Sequence, residues 1–163
     1  MLPALERPHE VLAPTLVGHA AGPPIEGGIS DAVLADAVEA AMDEAGFATA
    51  HIAGNSLGGY VSLQLAARGR AESVVALAPA GGWARNDFAL RHGWSLDAGS
   101  ITCAVRVVWG MDDRILPWPS TAARYRTDWL PHADWVELDG VGHCPQLDVP
   151  LETAQLILGF TSR

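Results

Sequence analysis

Cysteine is scarce, positive charge is outnumbered, and no long apolar run occurs. The two cysteines, Cys103 and Cys144, match no metal-binding or redox spacing, which excludes a zinc module or a disulfide scaffold and points to a reduced, cytoplasmic chain. Ten Lys and Arg against nineteen Asp and Glu leave a formal charge of −9. That balance argues against nucleic acid or an anionic membrane surface as a partner. No window approaches the ~20 apolar residues of a membrane-spanning helix. The start, Met1-Leu2-Pro3-Ala4-Leu5-Glu6-Arg7, has neither the basic head nor the apolar core of a secretory leader. Internal repeats and low-complexity tracts are absent too. What remains has a folding composition: 163 residues, 49% hydrophobic and 18% charged. This fits one domain, residues 1–163, able to bury about 70% of its unfolded surface.

Short apolar runs alternate with helical patterns along the chain. Glu10 to Ala13 reads as a buried strand ended by Pro14, and a Gly/Pro-rich loop follows. Ser30 caps a helix whose apolar face is Leu34, Val38, Ala41, Met42 and Ala45, with Gly46 as its stop. Ala50 to Ala53 is a strand, and Leu57 to Arg68 a helix apolar nearly all round. Strands follow at Ser73–Ala78, Ala104–Trp109 and Trp135–Leu138, with helices at Pro119–Leu130 and Pro150–Phe160. Strands apolar on both faces, alternating with helices, predict an α/β fold: a mostly parallel open sheet covered on both faces. In such sheets the ligand site lies beyond the carboxyl ends of the strands.

Three residues at such ends carry chemistry. Gly54-Asn55-Ser56-Leu57-Gly58 sits between a strand and a helix, the context of a nucleophile elbow. A serine hydroxyl is a poor nucleophile at neutral pH and needs an imidazole to take its proton, and a carboxylate to fix that imidazole. The loop Gly110–Pro117 supplies Asp112 and Asp113, and the loop Asp139–Pro145 supplies His143. Either aspartate gives the chain order Ser, Asp, His. The N–H of Leu57, opening the helix, would be an oxyanion donor. Asn55 beside the nucleophile, Trp83 beyond a strand end and Trp118 after the acid loop are candidate substrate contacts. His51, alternating with Ile52, reads as a packed strand residue. No metal site and no cofactor are called for.

From Val11 onward the chain resembles the α/β-hydrolase fold superfamily. Val11-Leu12-Ala13-Pro14-Thr15-Leu16-Val17-Gly18-His19 resembles the strand and turn before the elbow, His51 to Gly59 the elbow, Gly110 to Pro117 the acid loop, and Gly142-His143-Cys144-Pro145 the histidine loop. The resemblance implies a Ser56–Asp113–His143 triad. Two departures accompany it. The family's strand ending in His-Gly, which supplies a second oxyanion N–H, has no counterpart upstream of Val11, and its loss should leave a gap or force the Val11 strand against the elbow strand. The cap segment is reduced to about residues 83–103. A truncated α/β-hydrolase fold is the expectation, with activity weakened by the missing donor, whose loss costs about 10²–10³ in turnover.

The functional expectation is a carboxylesterase-like serine hydrolase cleaving a small, fairly apolar ester through an acyl-enzyme on Ser56. Two alternatives stand beside it: a carbon–carbon bond hydrolase of the same fold, and a catalytically impaired remnant that binds ligands or a partner. An exposed sheet edge would open a route to homodimerisation.

Overall fold

The computed structural model describes residues 1–25, 27–28, 30–82 and 95–161. Four parallel strands form its sheet, in spatial order identical to chain order: β1 (Ala50–Asn55), β2 (Ala71–Leu77), β3 (Ala104–Gly110) and β4 (Asp134–Leu138). The helices are α1 (Leu2–Leu5), α2 (Asp31–Glu44), α3 (Leu57–Ala67), α4 (Pro145–Asp148) and α5 (Pro150–Thr161). The α/β class and the parallel sheet with helices on its faces are therefore present as the sequence predicts.

Local chemistry explains most boundaries. Ser30 caps α2 by accepting the Val33 N–H at 3.2 Å, and Gly46 follows with φ 84°. The strands β2 and β3 are apolar on both faces because helices cover both. On one face α3 and the segment 116–130 enclose Leu63, Val74, Val107 and Trp109. On the other, α1 and α5 cover Val75, Leu77 and Val108. Helix α2 closes over α3 through Leu34, Met42, Val61 and Leu65. Each fully buried Leu or Val in this set contributes about 1.5–3 kcal/mol. Arg106 is the exception inside β3. Its guanidinium pairs with Asp134 at 2.9 and 2.5 Å and donates to the Leu156 carbonyl at 2.7 Å, so a charge inside the sheet is fully engaged.

Two predicted elements differ. Residues 10–13 form no strand: among the described residues no backbone hydrogen bond joins them to β1, and β1 pairs with β2 alone. A strand exists only where a neighbour takes its N–H and C=O groups. The consequence of the missing strand is therefore a gap, with β1 left at the sheet's edge. His51 is correspondingly exposed rather than packed, its ring bonded to Ser73 Oγ at 2.9 Å. Of the helix expected over 119–130, residues 119–122 are turns and residues 123–129 are helical, the last five, Tyr125–Trp129, as a π-helix closed by Leu130 N–H to Tyr125 O at 2.7 Å. Thr121 Oγ1 donates to Pro117 O and Thr127 Oγ1 to Ala123 O, side-chain bonds that compete with a regular helix. Of the segment expected as a reduced cap, residues 83–94 lie outside the described set, and Ala98–Ser100 form a single 3₁₀ turn.

Candidate active site

Because the four strands run one way, their carboxyl ends share one rim, and three of them deliver the candidate residues. At the end of β1, Ser56 stands at φ 55°, ψ −118°, a conformation costing about 1–3 kcal/mol for a residue with a Cβ. Main-chain bonds hold it there: Ser56 N–H to Leu77 O at 2.9 Å, and Tyr60 N–H and Ala80 N–H to Ser56 O at 3.1 and 3.0 Å. The turn is tight enough that a Cβ on Gly54 would lie 2.2 Å from the Gly58 carbonyl oxygen. Leu57 opens α3, so its N–H has no partner within the helix.

Beyond β3 and β4 the two loops are joined. Met111 N–H donates to Leu138 O at 2.9 Å and Asp112 N–H to Val141 O at 3.0 Å. Gly110 permits this: a Cβ there would fall 2.3 Å from the carbonyl oxygens of Val141 and Gly142. The carboxylate of Asp113, 4% exposed, has both oxygens occupied. Oδ1 accepts the Ile115 and Leu116 N–H groups at 2.9 and 2.8 Å, and Oδ2 faces His143 Nδ1 at 2.7 Å. Trp109 Nε1 anchors the same loop through Leu116 O at 3.1 Å. A carboxylate opposite Nδ1 keeps the proton on that nitrogen and leaves Nε2 as the acceptor. Asp112, in contrast, is exposed.

Asn55 spans the space between elbow and histidine loop. Its Nδ2 donates to Leu77 O at 3.1 Å and His143 O at 2.9 Å, while Oδ1 accepts from Gln146 Nε2 at 3.1 Å and the Cys144 thiol at 3.5 Å. Its amide is thus spent on protein groups, not on a ligand. Gln146 and Asp148, whose Oδ2 accepts the Gly142 N–H at 2.9 Å, brace the loop from α4. Sequence reasoning missed both; their type carried no signal apart from lying just after a Pro at a helix start. The structure therefore joins Asp113 to His143 and binds the His143 backbone to the residue preceding Ser56. Among the described residues Ser56 Oγ makes no hydrogen bond, to His143 included.

The other candidates part company. Trp118 packs between Trp109 and Trp135, with centroids 6.0 and 6.1 Å away, under the Arg126 guanidinium at 5.0 Å. That makes it a core-side aromatic rather than a cleft rim, because Trp109 beneath it is wholly buried. Trp83 lies outside the described residues. Among the described residues no group of three His, Cys, Asp or Glu side chains gathers to hold a metal ion, and no helix is long and apolar enough to cross a membrane.

The comparisons with known proteins bear on this geometry. A family model described as the alpha/beta hydrolase fold matches residues 1–101. The chain belongs to that family. A stretch of 57 residues is 61% identical to epoxide hydrolase EphH of Mycobacterium tuberculosis (strain ATCC 25618 / H37Rv), covering 35% of this α/β-hydrolase and 27% of the relative. The match thus spans only about a quarter of that curated relative's length. Two solved structures share the fold: the meta-cleavage product hydrolase of Pseudomonas fluorescens IP01, with TM-score 0.82 and 17% identity over 99% of this chain and 82% of the other, and the 2-hydroxy-6-oxo-6-phenylhexa-2,4-dienoate hydrolase of Rhodococcus sp. strain RHA1, with TM-score 0.82 and 20% identity over 99% and 83%. At these identities the likeness concerns the fold.

Proposed function

We propose that this α/β-hydrolase cleaves a small, fairly apolar carboxylic ester through an acyl-enzyme on Ser56. The observation that carries the reading is the buried Asp113–His143 pair at 2.7 Å, whose His143 carbonyl accepts from Asn55, the residue before the strained Ser56. His143 Nε2 takes the Ser56 proton as the hydroxyl attacks the carbonyl, and then protonates the leaving alcohol. Water, deprotonated by the same nitrogen, attacks the acyl-enzyme and releases the acid. Asp113 orients the ring and stabilises the imidazolium without taking up the proton. The Leu57 N–H stabilises the oxyanion at the mouth of α3. No metal or organic cofactor enters these steps.

The mycobacterial relative's name points to epoxides, and here the nucleophile argues for esters. A serine that opened an epoxide would become an alkyl ether, which offers water no carbonyl to attack, whereas an acyl-serine does. The test is a fluorophosphonate label, together with turnover of short p-nitrophenyl esters. One-to-one modification at Ser56, abolished in Ser56→Ala and slowed in His143→Ala, is the expected result. A folded protein that neither labels nor turns over ester would refute the proposal and leave a binding remnant.

A further inference from the structure

The serine elbow leans on a second turn. Residues 78–82, which follow β2, have positive φ at Ala78 (40°) and Gly81 (96°), and Ala78, Pro79, Gly81 and Gly82 are buried. Ala80 N–H donates to Ser56 O at 3.0 Å. The two turns fit closely: a Cβ on Gly59, in the first turn of α3, would lie 3.1 Å from Pro79 Cα. A positive φ at a residue with a Cβ persists only where its surroundings over-determine it. Ser56 and Ala78 are two such residues in one patch of main chain, so their strain must be resisted from outside the pair.

Resistance comes from the segment between β3 and β4. Tyr125, wholly buried at the start of the π-helix, donates its hydroxyl to Ala80 O at 2.5 Å, and Arg124 N–H donates to Gly82 O at 3.0 Å. The ring is keyed into the turn: a Cβ on Gly82 would fall 2.3 Å from Tyr125 Cδ2. Among the described residues this hydroxyl is the one side-chain donor that residues 78–82 receive. Burial pushes the phenol well above its ordinary range, so it stays a donor throughout the neutral range. Filling the core needs the ring alone, which phenylalanine would supply. A buried hydroxyl carries a desolvation cost that its bond offsets, and what the bond adds is a fixed position for the Ala80 carbonyl. The contacts then run from the Tyr125 hydroxyl through Ala80 to the Ser56 carbonyl.

We propose that Tyr125 is a positioning residue for the nucleophile, holding Ser56 in its strained conformation through the 78–82 turn rather than through the Asp113–His143 pair. Without the hydroxyl, Ala80 O loses that donor, the turn relaxes at Ala78, and the bond from Ala80 N–H to Ser56 O loosens. Ser56 then drifts from its line of attack, while the imidazole and its carboxylate stay as they are. The effect on rate rests on Ser56 acting as the ester-cleaving nucleophile; the effect on the main chain does not.

The test is Tyr125→Phe, with Val105→Ala as a stability control. Val105 is buried at the amino end of β3, away from the rim, and the cavity left there costs at least as much stability as a lost hydrogen bond. Single-turnover kinetics with p-nitrophenyl butyrate separates substrate binding from acylation, and amide hydrogen exchange reports the main chain. In Tyr125→Phe, acylation should slow by about 10- to 100-fold, the scale of a misplacement of up to 1 Å. Substrate binding should stay within about twofold, and the loss should be the same at every pH across the neutral range. Exchange should quicken tenfold or more at Ser56 and Ala80, while Ile115 and Leu116 in the acid loop change little. Val105→Ala should show neither effect beyond its overall loss of stability. A Tyr125→Phe protein matching that control in both acylation and exchange would overturn the inference and leave the ester hydrolase standing. So would a loss confined to substrate binding, or a shifted pH profile. Should the parent be inert toward both ester and fluorophosphonate, the hydrolase reading falls alone if the Ser56 and Ala80 amides still depend on the hydroxyl, and both fall if they do not.

Discussion

The sharpest test of the acid loop is Asp113→Asn. Oδ1 of Asp113 accepts two main-chain N–H groups, from Ile115 and Leu116. An asparagine must keep its carbonyl oxygen there, since an NH₂ would meet two donors. Its NH₂ is then forced toward His143 Nδ1, where the carboxylate now lies 2.7 Å away. The ring can accept there only by moving its proton to Nε2, and a protonated Nε2 cannot take the serine proton. A wrong tautomer in an otherwise intact triad costs about 10⁴ in turnover, which corresponds to about 5.4 kcal/mol of barrier. Folding should lose far less, about 1–3 kcal/mol, because one charge-assisted bond is exchanged for a neutral one. The assay is kcat on p-nitrophenyl butyrate at neutral pH, alongside urea unfolding followed by tryptophan fluorescence. Asp112→Asn, at the exposed neighbour, serves as the control and should leave kcat unchanged. A folded Asp113→Asn protein within roughly tenfold of the parent kcat would refute the tautomer argument.

Other outcomes follow from the same geometry. The two glycines of the elbow should behave oppositely: Gly54→Ala drives a Cβ to within 2.2 Å of backbone and should unfold the protein or cost several kcal/mol, on the order of an overpacked core. A Cβ at Gly58 meets nothing within 4 Å, so Gly58→Ala should gain about 0.5–1 kcal/mol through helix propensity; thermal melts compare the two. Asn55→Ala should lower kcat by about 10²-fold, the scale of a misplacement near 1 Å, with KM little altered. Asn55→Asp should be worse, because an acceptor would then face the carbonyls of Leu77 and His143, and steady-state kinetics separates these cases.

Much of the rim was legible because it rests on local rules. Gly54 and Gly58 around Ser56, Gly110 before the acid loop and Gly142 before His143 mark turns at strand ends, and strands apolar on both faces imply a covered parallel sheet. The resemblance of Gly110–Pro117 to the family's acid loop also separated Asp113, now seen buried, from exposed Asp112. What stayed hidden depends on non-local partners. Residues 10–13 have a strand's composition, yet a strand needs a neighbour, and among the described residues none pairs with them. Likewise Asn55, Gln146 and Asp148 act through bonds to backbone brought near by folding, which their types do not announce. Trp118 read as a rim residue because it follows the acid loop; only the stack with Trp109 and Trp135 shows where its ring goes.

The zipped loops beyond β3 and β4 have one more consequence. Tied together by main chain and by the carboxylate, the imidazole and its acid travel as a single rigid piece, so jostling of either loop preserves their mutual alignment. Slack in the machinery must therefore collect at the seam between that piece and the strand bearing the serine. Among the described residues every side-chain bond stitching that seam converges on the one amide of Asn55, which makes a single residue the hinge pin on which alignment of the proposed base and nucleophile turns.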